Sequence, residues 1–227
     1  MAAKIDHEMT FDDMEDEVVY TRAALRADPD ARDLLPLTDG WMPAVESGRA
    51  SAREARIAVA TAAAERRIAN VRLDTACTTF GNELKLEVNN NFDSARWKRF
   101  FSGIGGMVSR FIRLPFAEQV SRVQGWLTHT GDALLERHRE PLTTWSTAAA
   151  ASIAATKATA QVRGDAAVER EELAELLTRG RDGLEAALVE RANERGLPRE
   201  WPKSFFRVRT SSKAKKNDDG GGDDQGE

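Results

Sequence analysis

No proline interrupts the chain from Ala44 to Asn89, and this run constrains the fold more than any other feature. Ile57, Ala60, Ala64, Ile68 and Val71 repeat at spacings of three and four and lead into Leu73, Cys77, Phe80, Leu84 and Val88, which repeat in the same way. Such spacing predicts one long helix with an apolar stripe, with a possible break near Gly48. At 1.5 Å per residue, some 40 residues would reach about 60 Å. Asn89, Asn90 and Asn91 are suitable terminators, because asparagine tolerates left-handed backbone geometry.

The flanking segments read the same way. Thr10 is placed to cap a first helix, with Asp12 and Asp13 in its first turn, and Asp28-Pro29 ends it. Phe116, Val120, Val123, Leu127, Thr130 and Leu134 make a further stripe that Pro141 should break. A second long helix is predicted from about Thr144 to Arg195, stopped by Gly196-Leu197-Pro198. Alanine, arginine, leucine and glutamate dominate while tyrosine occurs once, so the class is all-α. This usage resembles that of a bacterium with a GC-rich genome.

The two halves align at a spacing of 104 or 105 residues. Phe11 matches Phe116, Trp41 matches Trp145, Trp97 matches Trp201, and Phe100-Phe101 matches Phe205-Phe206. Both units would comprise a short helix, a loop with Trp, a long helix and a Trp and Phe-Phe hook, with Trp41, Trp145, Trp201, Phe205 and Phe206 as anchors. The predicted architecture is an antiparallel helical bundle of two tandem hairpins with long second helices and pseudo-twofold symmetry. Its expected parts are a disordered N-terminus (1–9), repeat 1 (10–101), an apolar and basic linker (102–115), repeat 2 (116–206) and a disordered charged tail (207–227).

Composition excludes several functions. The single cysteine, Cys77, forbids an intrachain disulfide. With an acidic segment at residues 1–17 in place of a signal peptide, it leads to the expectation of a cytoplasmic protein. No stretch supplies the roughly 20 apolar residues of a membrane span. A net charge of −4 gives no global field for nucleic acid, and the basic cluster from Arg207 to Lys216 runs into aspartates, so that partner is disfavoured.

No motif specifies a reaction. His7, His129 and His138 lack metal-ligand spacing, and Gly103-Ile104-Gly105-Gly106 lacks the Gly-Lys-Ser/Thr ending of a phosphate loop. Asp28 to Asp33 lacks the downstream glycine and glutamate of a calcium loop, and Cys77 reads as a small core residue. No cofactor, metal or catalytic residue is assigned, and an enzyme is not expected.

The candidate interaction segment is Trp97, Lys98, Arg99, Phe100, Phe101, Ile104, Met107, Val108, Arg110, Phe111, Ile112 and Arg113, in which aromatics alternate with cations. The hook recurs in both halves, whereas Ser102 to Ile112 is unique to the first. The leading expectation is a noncatalytic scaffold or adaptor that binds protein partners or assembles with itself, in the manner of coiled coils. The alternative is a peripheral membrane protein that lays residues 97–112 into an anionic lipid interface.

Overall fold

The computed structural model describes residues 9–104 and 107–207. Among them are six α-helices and no strand: α1 (Phe11–Ala27), α2 (Trp41–Glu87), α3 (Ala95–Phe101), α4 (Val108–Phe111), α5 (Phe116–Leu127) and α6 (Ala133–Arg195). Short 3-10 turns cover Arg32–Thr38 and Trp201–Phe205. The all-α class follows. The terminal segments expected to be disordered lie outside the described residues except at Met9 and Arg207, as do His7, Gly105 and Gly106.

Local chemistry sets several helix ends where the residues foretell them. The Thr10 hydroxyl accepts from the Asp13 amide at 3.1 Å while the Asp13 carboxylate takes the Thr10 amide at 3.2 Å, a reciprocal capping box. Asn89 and Asn90 adopt φ of 51° and 59° and end α2. Three boundaries differ from the reading above. The first two are that α2 starts at Trp41 and runs unbroken past Gly48, and that α5 stops at Leu127, with Asp132 capping the next helix through the amides of Leu134 and Leu135. The third is that α6 continues through Pro141. Pro141 and Arg137, whose carbonyl loses a helical donor, are both exposed, so water can satisfy the freed oxygen.

The chain forms two compact units: Met1–Ala50 with Val168–Glu227, and Ser51–Ala167. This division cuts across chain order, since α1 belongs with the last part of α6, and α5 with the later part of α2. The first unit buries Met14, Val18 and Leu25 of α1 with Trp41, Val45, Leu177, Leu184, Leu188, Phe205 and Phe206. Its stretches of α2 and α6 run antiparallel, Trp41 meeting Gly180 and Gly48 meeting Leu173. The Trp201 indole N–H donates to Asp28 at 2.8 Å. Glu17 and Arg181, both buried, form an ion pair of 2.8 Å, and the guanidinium lies 4.9 Å from the Phe206 ring centre.

The second unit buries Leu73, Cys77, Phe80 and Leu84 of α2 with aromatic side chains of α3, α4 and α5 and with Leu134, Leu135, Leu142 and Ala149 of α6. Trp126 is the hub, its ring centre 4.7 Å from Phe111, 5.0 Å from Phe101, 5.6 Å from Phe80 and 6.0 Å from Phe100. Here too α2 and α6 are antiparallel, Arg72 lying over Trp145 and Glu83 meeting His138 at 3.0 Å.

One prediction about α2 is corrected. Ile57, Ala60, Ala64, Ile68 and Val71 are exposed, while Ala55, Ala62 and Ala69, seven residues apart, are buried. The inward line of this part of α2 consists of its small residues, because the neighbours of a helix, not the bulk of its apolar side chains, set which face turns in.

Candidate functional site

The candidate segment is divided by its own periodicity. Trp97, Phe100 and Phe101 of α3, Ile104, and Val108 and Phe111 of α4 are buried in the core of the second unit, and Ile112 is half-buried. Lys98, Arg99, Met107, Arg110 and Arg113 are exposed. The segment is also tied down by α5. Gln119 Nε2 donates to the carbonyls of Ile112 and Leu114 at 2.9 and 3.1 Å, and Arg122 Nη1 donates to Ser102 O at 3.0 Å. Insertion of Phe101, Ile104 and Phe111 into lipid would therefore empty a packed core.

The anchors fall in both units. Trp41, Phe205 and Phe206 are buried in the first, where Trp201 is half-buried, and Trp145 is half-buried in the second. Sequence reasoning passed over Trp126, Gln119 and the pair of Arg96 with Asp132. Trp126 stands three residues after Val123, a spacing that could have found it; the Arg96–Asp132 pair has no local signature.

Titratable groups with shifted equilibria sit mainly in ion pairs or in the core. The Arg96 guanidinium holds the Asp132 carboxyl below its ordinary range, and the His138 ring does the same for Glu83. Burial, followed by the charge of Asp74, pushes the Cys77 thiol far up, and burial raises Asp74 as well. A buried thiol of this kind is a poor nucleophile. Among the described residues no group of three His, Cys, Asp or Glu side chains gathers to hold a metal, and no helix is long and apolar enough to cross a membrane.

No protein-family model matches the chain, and no curated protein or solved structure is significantly similar to it.

Two surface features remain, both in the second unit. A cleft of about 430 Å³ lies between α2 and α6, lined by Val59, Ala62, Ala63, Arg66, Arg67, Asn70, Phe116, Thr156 and Thr159. Its surface is mainly apolar, with the Arg66 guanidinium 5.7 Å from the Phe116 ring centre. The other feature is the outward line of α2, where Ile57, Ile68 and Val71 are 53%, 58% and 56% exposed. Single exposed aliphatics are ordinary, but a line of them along one helix face is the usual signature of a surface that something covers.

Proposed function

We propose that this chain is a noncatalytic helical scaffold or adaptor that binds protein partners or copies of itself through exposed faces of its long helices. The observation that carries the reading is the outward apolar line of α2, more than half exposed at its three largest side chains. The inward packing of Trp97, Phe100, Phe101, Ile104, Val108 and Phe111 supports it, because it withdraws those side chains from a partner and leaves the outward line of α2 open to one. The shifted titratable groups also support a noncatalytic role, since Asp132, Glu83 and Asp33 are engaged by Arg96, His138 and Arg191. A cytoplasmic location accords with a single cysteine, Cys77, that is buried.

We also infer that the molecule is a pseudo-twofold repeat of two helical hairpins. Asp28 and Asp132 stand 104 residues apart, each following a short helix. Each accepts hydrogen bonds from the hook region of the other half: Asp28 from Trp201, Asp132 from Arg96. Duplication with exchanged hooks accounts for the matching acceptors, while the donors come from neighbouring positions of the hook, Trp201 in one half and Arg96 in the other.

Native mass and partner reconstitution test the functional reading. The expected result is a species heavier than the 25.0 kDa chain, or a defined complex reassembled from this chain and a purified partner. A strict monomer that forms no complex with any purified candidate drawn from its source cell would remove the reading.

A further inference from the structure

The outward face of α2 carries a charge pattern that specifies its occupant. Glu54-Ala55-Arg56-Ile57 recurs eleven residues later as Glu65-Arg66-Arg67-Ile68. Eleven residues make very nearly three helical turns, so the two copies of the motif share one face. At about 100° per residue, Ile57, Ala60, Ala64, Ile68, Val71 and Thr75 fall within roughly 40° of a common line. Glu54, Glu65 and Arg72 flank that line on one side, and Arg56, Arg67 and Asp74 flank it on the other.

Of these six flanking charges, Arg72 lies over the Trp145 ring and half-buried Asp74 accepts from Asn70, while the other four have little to satisfy them within the chain. No ion pair joins Glu54, Arg56, Glu65 or Arg67 to any described residue. Positions four residues away from each hold alanine, threonine or valine rather than an opposite charge. Helix α5 packs on another face of α2, through Phe116 beside Arg66, and α6 borders the outward face at one flank, through Trp145 and His138 beside Arg72 and Glu83. The matching positions of α6, 104 residues on from Ile57, Ile68 and Val71, are Gln161, Glu172 and Glu175, so its counterpart face is built for water.

We propose that this face of α2 binds the same face of a second copy of the chain, the two α2 helices running parallel and in register about a twofold axis. This deepens the functional reading above and rests on it. In that arrangement each flank meets the opposite flank of the copy at nearly the same height. Glu54 comes opposite Arg56 of the second copy, Glu65 opposite Arg67, and Arg72 opposite Asp74, each offset by two residues or roughly 3 Å along the axis. All three pairings join opposite charges, and the twofold doubles them. An antiparallel pairing centred on Ala64 instead sets Glu65 against Glu65, offset by roughly 3 Å, like charge against like. Between the flanks, Ala60 and Ala64 allow close approach while Ile57, Ile68 and Val71 fill the seam.

The test uses the full chain, with the concentration dependence of its mass measured by sedimentation or light scattering, and helical content followed by circular dichroism to confirm folding. The wild type should dimerise and Ile68→Glu should be monomeric. Glu65→Arg or Arg67→Glu alone should weaken dimerisation about tenfold, and the double variant should regain it. A Thr75→Cys variant in a Cys77→Ser background should form an intermolecular disulfide, because the parallel pairing brings two copies of position 75 together and the antiparallel pairing centred on Ala64 does not. A wild type that stays monomeric up to about 100 μM, well above ordinary specific affinities, overturns the proposal. So does a dimer indifferent to Ile68→Glu, or a double variant without recovery. The broader reading fails separately: a monomer that binds a purified partner refutes this pairing and leaves an adaptor, and a dimer through another face refutes it and leaves self-assembly.

Discussion

Asp132 grips Arg96 with two hydrogen bonds of 2.9 Å while its Oδ1 also accepts the amides of Leu134 and Leu135 at 3.1 and 3.2 Å. One carboxylate thus starts α6 and fastens α3 to it. Arg96 completes the link by pairing with Glu87 near the end of α2 at 2.6 Å. Three helices of the second unit meet at this carboxylate and its guanidinium.

Replacing Asp132 by alanine removes the helix cap and leaves Arg96 with Glu87 alone. The loss should be about 2 to 3 kcal/mol, with about 1 from the cap and the rest from the charged hydrogen bonds. Asp132→Asn keeps a capping oxygen and should lose less. Urea unfolding measures both, and an alanine variant within about 0.5 kcal/mol of wild type would contradict this account.

Acid should undo the same junction. The folded-state pKa of Asp132 is depressed, first by its hydrogen bond to Arg96. Its stabilising effect is therefore complete above the unfolded carboxylate value of about 4 and is lost as pH falls through the lower folded value. Thermal melts from pH 6 to below 3 should show the wild type losing more stability than Asp132→Asn. Parallel curves would rule this residue out as a source of acid sensitivity.

Two glycines of α6 should respond in opposite directions. A Cβ at Gly180 would sit 2.7 Å from Nε1 of the Trp41 indole, whereas one at Gly164 would meet nothing within 4 Å. Gly180→Ala should cost about 1 to 3 kcal/mol by overpacking. Gly164→Ala, in open space within a helix, should stabilise by about 0.5 to 1 kcal/mol. Melting temperatures that shift in the same direction would refute the close contact.

The buried pair of Glu17 and Arg181 should be more sensitive to losing one partner than both. Arg181→Met leaves a carboxylate in the core of the first unit and should cost about 3 to 5 kcal/mol. Glu17→Leu with Arg181→Met removes both charges and should recover much of that loss. Additive costs in the double variant would show that the two side chains do not act as a pair.

Cys77 should be silent in the folded protein. With its thiol buried and its pKa pushed up, a disulfide reagent at pH 8 should label it only after denaturation. Labelling of native protein at the rate of a free thiol would mean that the core of the second unit opens readily.

What the amino-acid sequence determined by itself was local. The Thr10 capping box, the stop at Asp28, and the left-handed Asn89 and Asn90 depend on residues within a turn of one another, so their chemistry can be read without knowing the fold. The helical class follows for the same reason, as propensity and three-four spacing act along one segment. Which face of a helix turns inward depends on its neighbour, and only the tertiary structure decided it. Judged by apolar area, Ile57, Ile68 and Val71 should line the inward face of α2, yet Ala55, Ala62 and Ala69 do so. Pro141 persists in α6 because its side of the helix faces water, and the Arg96–Asp132 junction exists because α3 returns to the start of α6. These outcomes rest on contacts between residues distant in the chain, which local spacing does not encode.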